Sequence, residues 1–444
     1  MSDPQSRALF RAMGRWTLTA LVINSIIGSG IFGLPSIVAG LLGRKSPLVY
    51  LIAAVGMGLV IACFAEIASQ FGESGGPYLY AREAFGRITG IQVGLFLVAV
   101  KLSVAAAAAD LFVDYLVEIW PVAARPLPRL AILTVLIGFL AALNVRGVKS
   151  GAAANNALTV AKLVPLILFA VAGLIFMFTR HPASAALTSP PLTAHVWLQG
   201  VLVVTYAYSG FEGAVVPMAE AKEPCRDAPF ALFAALASVT LVYSTVQYVV
   251  VALLPDAASA TRPLAAAARL FWGGAGATLM SAGAMISVYG YLTAMLLHSP
   301  RALFALGENG DFPRVFARVD PKSRTPHVAI LTFAAFVWCL AAAGSFQWNV
   351  YLSSAARLVV FGFTCAALPV LRRKNPRVRA FRIPAGLIVS TAAVAFTIAL
   401  AIETTPAQRI ILGLTVAIAI GAWLWKRHGA SATSQAKGAT YTSL

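Results

Sequence analysis

The sequence predicts an all-α membrane protein with twelve transmembrane helices. Of its 444 residues, 59% are hydrophobic and only 11% are charged, whereas a soluble domain carries roughly 25% charged residues. The mean hydropathy is +0.81. Apolar runs of about 20 residues are long enough to cross a bilayer as helices, and such runs follow one another along almost the whole chain. Most of the surface is therefore expected to face lipid.

Polar segments precede and follow these apolar runs at the two ends of the chain. A cytoplasmic tail is predicted over residues 1–16 and another over 426–444. The predicted spans are 17–42, 48–69, 89–119, 130–145, 156–178, 196–219, 229–254, 275–303, 328–343, 351–371, 383–402 and 409–425.

The basic residues predict the orientation of these spans. With the N-terminus in the cytoplasm, 23 of the 34 Lys and Arg lie on the inside and 8 on the outside, the rest being within spans. This is the positive-inside bias that sets topology. It predicts a multi-pass protein of the cytoplasmic (inner) membrane with both termini in the cytoplasm. The net charge of +18 is explained by this bias and by contact with the lipid bilayer, so nucleic acid is not a predicted partner.

The spans also predict an internal repeat. Spans 1 and 6 are both interrupted by glycines, spans 3 and 8 are both long, and spans 4 and 9 are both short. Because each copy holds an odd number of spans, five, the two copies are expected to lie in opposite orientations, a 5+5 inverted repeat. The predicted units are 17–178 and 196–371, with two additional helices over 383–425.

The two interruptions are the candidate binding site. The first lies at Gly28-Ser29-Gly30 and the second at Ser209-Gly210. Backbone groups freed by an interruption must face protein or a water-filled cavity, because lipid cannot hydrogen-bond them. A half-helix that starts at a break presents N–H groups suited to a carboxylate, and one that ends there presents carbonyls suited to an ammonium group. A zwitterion would fit this arrangement; the alternative is that the glycines only allow close helix packing.

Several motifs carry a family resemblance. They are N-S-I-I-G-S-G-I-F-G-L-P from Asn24, C-F-A-E-I-A-S-Q-F-G-E-S-G-G-P-Y-L-Y-A-R-E-A-F-G from Cys63, Y-S-G-F-E-G-A-V-V-P-M-A-E-A-K-E-P from Tyr208 and S-P-R-A-L-F-A-L-G-E-N-G-D-F-P from Ser299. Because these motifs occur in this order, the sequence resembles the amino acid–polyamine–organocation (APC) superfamily over residues 15 to 425. The resemblance implies the leucine-transporter-type fold and a bacterial amino acid permease that alternates access around broken helices 1 and 6.

The resemblance also implies residue roles. Carboxylate contacts fall on Ser29 and Gly30, and amine contacts fall on the carbonyls around Ile27 and at Tyr208–Ser209. Tyr206 takes the place of an aromatic gate. The predicted substrate-binding residues are Ile27, Gly28, Ser29, Gly30, Tyr206, Tyr208, Ser209, Gly210 and Phe211. The three aromatic residues in this set could equally face lipid or the core.

Charged residues inside the spans are the candidates for coupling and gating, since a charge at membrane depth is costly. Glu212 is implied to hold the second break together, or else forms a structural ion pair. Lys162 takes the position where some relatives place a lysine ammonium instead of a sodium ion, which favours protons as the coupling ion; its alternative is a side chain that reaches the interface. Lys101 faces either the cavity or an ion-pair partner. Pairing is expected for these charges, for instance Arg357 with Asp110 or Lys101 with Glu212.

The remaining predictions concern a gate at the cytoplasmic side and the four cysteines. Glu66, Glu73, Gly75-Gly76-Pro77 and Arg82 are expected to form a cytoplasmic gate. The four cysteines are scattered without a C-x-x-C pair, so neither a disulfide nor a metal site is expected, and no cofactor is predicted.

Three classes of function fit a polytopic membrane protein of this kind: a transporter, a non-transporting sensor and a membrane-embedded enzyme. The sequence predicts a secondary active transporter of L-amino acids, coupled to protons rather than sodium. An amino acid or amine exchanger and a non-transporting membrane sensor of the same fold are the alternatives. An enzyme is not expected, because no H-E-x-x-H or G-x-S-x-G motif is present. Neither the amino acid carried nor the oligomeric state follows from the sequence.

Overall fold

The structure is a computed structural model, and it describes residues 14–71, 76–147, 152–180, 191–214, 223–308, 310–374, 381–418 and 420–421, without the side chains of 152–162, 214 and 224. Within these residues the chain is helical, with short turns and three 3₁₀ segments, and contains no strand. This agrees with the all-α class predicted from composition.

Sixteen α-helices follow one another in the described part of the chain. They are α1 (Arg15–Ile26), α2 (Gly30–Leu42), α3 (Ser46–Gln70), α4 (Gly76–Phe85), α5 (Arg87–Leu116), α6 (Pro126–Val145), α7 (Ala152–Arg180), α8 (Ala194–Ala207), α9 (Phe211–Ala214), α10 (Pro224–Leu253), α11 (Pro263–His298), α12 (Pro300–Glu308), α13 (His327–Ala343), α14 (Phe346–Lys374), α15 (Gly386–Ile402) and α16 (Pro406–Ile418). Several of them begin with proline, whose missing N–H costs nothing in the first turn of a helix.

Each predicted span falls on a helix or on a pair of helices. The first span is divided between α1 and α2, and the sixth between α8 and α9. In the described part of the chain, seven helical stretches are long and apolar enough to cross a bilayer, and three shorter apolar helices accompany them. The number of twelve spans and the 5+5 inverted repeat stay predictions.

One boundary differs for a local reason. The eighth span was predicted to start at residue 275, but α11 begins at Pro263. The helix is kinked at Gly273, whose φ of 67° lies outside the helical region. The ten residues before the kink, 263–272, therefore form a separate short helix joined to the predicted span.

The buried core lies where the interrupted helices meet the long ones. Helix α5 packs against α11 and α14, α1 packs against α10, and α2 packs against α8. Buried side chains of these helices form one continuous apolar cluster. Helices α6 and α7 lie at the periphery, since only 28% of the apolar window of α6 and 22% of that of α7 are buried. Their exposed apolar faces are suited to contact with lipid. The two breaks lie in the interior, among the buried helices.

Candidate functional site

The first break lies between α1 and α2. The last α1 hydrogen bond runs from the Ile27 N–H to the Ile23 carbonyl at 2.9 Å, and the Ser29 carbonyl accepts from the Phe32 N–H at 3.2 Å. The Gly30 and Ile31 N–H groups precede this first bond of α2, so they belong to the unsatisfied positive end of a helix. Ser29 caps α2 without a side-chain hydrogen bond to its backbone, which leaves its hydroxyl for another partner.

That partner comes from the other interrupted helix. Ser29 Oγ lies 2.7 Å from Tyr206 Oη, and both groups are buried. A Cβ atom at Gly30 would lie 3.2 Å from Ala207 Cα and 3.4 Å from Tyr206 Cδ1. Gly30 therefore lets α2 approach the end of α8 closely, and the Tyr206 hydroxyl reaches the start of α2. The predicted gate tyrosine stands directly at the first break.

The second break touches the first through its backbone. Gly210 has a φ of +110°, which side chains rarely adopt, and a Cβ atom there would lie 2.2 Å from the Ser25 carbonyl oxygen. The Tyr243 hydroxyl, from α10, donates to the Ile26 carbonyl at 3.4 Å. The C-terminal end of α1 is thus held between the second break and α10. Ser209 Oγ donates to the Tyr206 carbonyl, which satisfies one of the last carbonyls of α8.

Glu212 joins the second break to α14. The Gly210 N–H donates to Glu212 Oε2 at 2.8 Å, and Arg357 Nε lies 3.2 Å from Glu212 Oε1. Both side chains are nearly buried, 4% exposed for Arg357 and 11% for Glu212. Lys101 lies within electrostatic range of Glu212 and Arg357. An ion pair between α9 and α14 therefore lies beside the break, with Lys101 of α5 within electrostatic range of it.

The predicted pairing of Arg357 with Asp110 is wrong. Asp110 binds Arg129 at 2.8 Å, and Arg129 also binds Asp114 at 2.6 Å. Asp110 further accepts from Asn349 Nδ2 at 3.0 Å. The two aspartates lie one turn apart on α5 and share the guanidinium of Arg129 on α6. Arg357 pairs with Glu212 instead. Lys101 lies within electrostatic range of Glu212, as proposed, but the ion pair of Glu212 is formed with Arg357.

Two of the predicted aromatic residues direct their side chains into the core. The Tyr208 hydroxyl donates to the Tyr50 carbonyl at 2.9 Å, and its ring packs against Tyr50 and Tyr243. The Phe211 ring packs between Phe64 and Phe361, at 5.1 and 5.6 Å between centroids. Only the backbone of these two residues borders the break.

Two aromatic residues at the breaks were not predicted. The ring of Tyr291, on α11, would lie 3.2 Å from a Cβ atom at Gly28, and the ring of Phe346, on α14, would lie 2.3 Å from one at Gly33. Phe346 also meets Tyr206 edge-on, at 6.3 Å between centroids. No spacing in the sequence signals either contact, because each depends on how a distant helix is rotated. Together these rings cover Gly28 in the first break and Gly33 in the first turn of α2.

A cavity of about 410 Å³ lies beyond Phe346, at the end of the bundle where α2 ends. Its polar lining includes Ser36, Asp114, Thr261 and Gln347, while Gly33 and Phe346 also line it. Phe346 and Tyr206 thus stand between this cavity and Gly30. The cavity is a vestibule that stops at the aromatic side chains over the first break.

The opposite end of the bundle is closed by polar contacts. Asp311 is bound by Arg87 Nε at 2.8 Å and accepts from the Tyr78 hydroxyl at 3.0 Å. Arg82 donates to the same hydroxyl at 3.2 Å. Burial raises the pKa of Tyr78, and the nearby Asp311 carboxylate adds to this shift, so the hydroxyl stays a donor at neutral pH. These contacts join α4 and α5 to the loop after α12.

The predicted place of Glu66 in the cytoplasmic gate is wrong in its partner. Its carboxylate is bound at 2.6 Å by both Arg372 Nε and Arg372 Nη2, and it accepts from the Ile383 N–H at 2.8 Å. Glu66 therefore ties α3 to α14 instead of meeting Arg82. Glu73 and Gly75 lie outside the described residues.

The predicted coupling residue Lys162 lies in α7, and its side chain is outside the described part of the structure. Among the described residues, no group of three or more His, Cys, Asp or Glu is arranged to hold a metal ion.

Apolar helices, with two interruptions that meet in a buried interior, define a class of membrane transport proteins. A family model described as amino acid permease matches residues 13–425. The chain therefore belongs to the amino acid permease family of the APC superfamily, as its motifs predicted.

Curated relatives agree with this class. A methylthioribose transporter of Bacillus subtilis (strain 168) is 27% identical over 408 residues, which cover 86% of each chain. An uncharacterized transporter of Mycobacterium tuberculosis (strain ATCC 25618 / H37Rv) is 30% identical over 404 residues, covering 84% of this chain and 83% of its own. A branched-chain amino acid permease of Bacillus subtilis (strain 168) is 25% identical over 409 residues, covering 88% of this chain and 87% of its own. These proteins are transporters and permeases, not enzymes, which confirms the class predicted from sequence.

Proposed function

We propose that this protein is a secondary active transporter that carries L-amino acids across the cytoplasmic membrane. The observation that carries the proposal is the contact of the two breaks, where Gly210 lies on Ser25 and Tyr206 binds Ser29. The start of α2 is an anion site by its free N–H groups, and the ends of α1 and α8 offer carbonyls to an ammonium group. An α-amino carboxylate presents this pair of charges.

Access to the breaks is proposed to alternate between the two ends of the bundle. On the vestibule side, Phe346 and Tyr206 cover Gly30 and Gly33. On the other side, the contacts of Asp311 and of Glu66 join helices from different parts of the chain. Movement of one set of contacts while the other stays closed would expose the substrate to one side at a time, which is the alternating-access principle.

Coupling is proposed to use protons rather than sodium ions. The support is the resemblance, in which Lys162 takes the position where some relatives place a lysine ammonium instead of a sodium ion. Such a lysine would leave no place for that ion and could release a proton when buried. Exchange of one amino acid or amine for another is the alternative mode. The name of the methylthioribose transporter shows that a relative can have a substrate other than an amino acid, so the substrate class itself requires a test.

Uptake by proteoliposomes tests the proposal. Radiolabelled L-amino acids should accumulate in vesicles that contain the purified protein when the outside is made acidic, and a sodium gradient should add nothing. Gly30→Leu should abolish uptake while the protein still inserts, because the new side chain would fill the space against Ala207 and Tyr206. A non-transporting sensor would show binding without uptake, and an exchanger would require amino acid inside the vesicles. Unchanged substrate binding by Gly30→Leu would show that the site is elsewhere.

A further inference from the structure

A groove on the outer face of the bundle lies between α6 and α13. Its volume is about 520 Å³, and residues of these two helices form its walls. Gly138, Ala142 and Ala335 in the walls are exposed, so the groove opens to the surroundings of the protein. Phe139 and Leu331 on the same two helices are more than half exposed. The groove therefore lies on a face that is suited to lipid.

The length of the groove matches one leaflet of a bilayer. Along α6 its lining runs from Thr134 to Arg146, which is about 18 Å at a rise of 1.5 Å per residue. Half of a hydrocarbon core of about 30 Å is about 15 Å. At the Thr134 end, Trp338 Nε1 donates to Thr134 Oγ1 at 2.9 Å and joins the two walls. An acyl chain of one leaflet would fit between this end and Arg146.

Gly138 leaves space within the groove. A Cβ atom at this position would have no atom within 4 Å, so the glycine does not serve the packing of α6 on another helix in the described part of the structure. Glycine weakens a helix relative to alanine, and a large side chain at this position would fill the groove. The space over Gly138 is available to a molecule from the bilayer.

The end of the groove opposite Trp338 is formed by Arg146, whose side chain is exposed. The turn before α13 packs on this end of α6. The Thr325 hydroxyl donates to the Val145 carbonyl at 2.8 Å, and a Cβ atom at Gly147 would lie 3.1 Å from the Ser323 carbonyl oxygen. The residues of this turn therefore lie beside the groove.

Basic residues outnumber acids in the segment that carries this turn. Residues 314–327 contain one acid, Asp320, whose carboxylate accepts from the Ser323 N–H and hydroxyl, both at 2.7 Å. The same range contains four basic residues, which are Arg314, Arg318, Lys322 and Arg324. In the part of the chain that the structure describes, neither these four nor Arg146 forms an ion pair with a carboxylate. This end of the groove therefore attracts an anion.

We propose that the groove binds an anionic phospholipid of the cytoplasmic leaflet, with one acyl chain between α6 and α13 and the phosphate at Arg146. Basic pockets between transmembrane helices on the cytoplasmic side bind anionic lipid headgroups, and a guanidinium binds a phosphate through two parallel hydrogen bonds. The leaflet follows from the predicted orientation of the chain. The inference does not depend on which substrate the protein carries.

Thermal unfolding of the purified full-length protein in a non-ionic detergent tests the inference. Dioleoylphosphatidylglycerol, which is anionic, is compared at equal concentration with dioleoylphosphatidylcholine, which has the same acyl chains and no net charge. A ligand that binds only the folded protein raises its unfolding temperature. We expect the anionic lipid to raise this temperature by at least about 2 °C more than the neutral lipid does.

Two variants separate the charge from the groove. Arg146→Gln should abolish the difference between the two lipids because it removes the phosphate partner, and Gly138→Leu should abolish it because the new side chain fills the groove. Arg226→Gln is the control for charge, since that side chain is 81% exposed. Gly413→Leu is the control for volume, since a Cβ atom at Gly413 also meets nothing within 4 Å. Both controls should keep the difference between the lipids.

The unfolding temperature of each variant without lipid shows that it is folded. Equal effects of the two lipids on the unaltered protein would overturn the inference. An equal loss of the difference in Arg226→Gln and Arg146→Gln would also overturn it, because the lipid would then be attracted to basic surface in general. If Gly138→Leu keeps the difference and instead changes the mass measured by light scattering, the groove is a contact between two copies of the chain. None of these outcomes alters the proposed transport function.

Discussion

Single residues decide whether the two breaks can meet. Gly210 is the most constrained of them, because its φ of +110° and its distance to the Ser25 carbonyl oxygen both exclude a side chain. Gly213, three residues later, would place a Cβ atom in open space. The same substitution at these two positions therefore separates the effect of the break from the effect of a glycine in a short helix.

We expect Gly210→Ala to reduce uptake at least about tenfold or to lower the thermal stability of the purified protein, since the new methyl group must displace backbone and strained backbone costs roughly 1–3 kcal/mol. Gly213→Ala should leave both quantities unchanged. Uptake by proteoliposomes and a thermal unfolding curve in detergent provide the measurements. Normal uptake and normal stability of Gly210→Ala would show that the close approach of the two breaks is not needed.

Lys162 is the residue on which the proposed proton coupling depends. Lys162→Ala should remove the dependence of amino acid uptake on the pH gradient, because no ammonium would remain to take up and release a proton. Lys322→Ala serves as the control, as Lys322 lies in an exposed turn. The measurement is the initial uptake rate over a series of external pH values. A pH profile that matches the unaltered protein would remove Lys162 from the coupling mechanism.

At the scale of the element, α4, α5 and the loop after α12 form the closed end of the bundle. Asp311 is the common acceptor, with a side chain that is 1% exposed, and it joins Tyr78 to Arg87. Buried ion pairs are sensitive to the loss of one partner, because the other charge is left without compensation.

We expect Asp311→Asn to loosen this end and to raise the rate at which a membrane-impermeant thiol reagent reaches a cysteine placed at Ser29, in a background without the four native cysteines. Asp320→Asn is the control, because the Asp320 carboxylate accepts from the nearby Ser323 within its own turn. The labelling rate is measured from the cytoplasmic side in inside-out vesicles. Equal labelling rates for the two variants would show that Asp311 does not close this end.

At the scale of the whole molecule, the distribution of Lys and Arg predicts that both termini are cytoplasmic. A fluorescent protein fused to either terminus should fold and fluoresce in cells, and alkaline phosphatase fused there should stay inactive. Alkaline phosphatase inserted at Ala260, in the loop that lines the vestibule, should be active. An active phosphatase at a terminus would reverse the orientation and place the vestibule on the cytoplasmic side.

Much of this architecture was readable from local features of the chain. The positions of the two breaks followed from glycines inside apolar runs, and α1 ends at Ile26 while α2 begins at Gly30. The family followed from motifs that keep their order along the chain, and the family model confirms it. Pairings between helices were less predictable: the partner of Arg357 was predicted incorrectly, and Tyr291 and Phe346 were missed. Each of these contacts depends on the rotation and depth of two helices that are far apart in sequence.

The sequence by itself determined a family of membrane transport proteins, its helical class and the two places where helices are interrupted. These properties depend on hydropathy and on the backbone freedom of glycine, and both act within a few residues. Only the tertiary structure decided that Gly210 lies on Ser25, that Tyr206 binds Ser29 and that Arg357 pairs with Glu212 beside Lys101. Such contacts arise from the packing of whole helices, because a close approach or an ion pair requires side chains to meet in space and not in sequence.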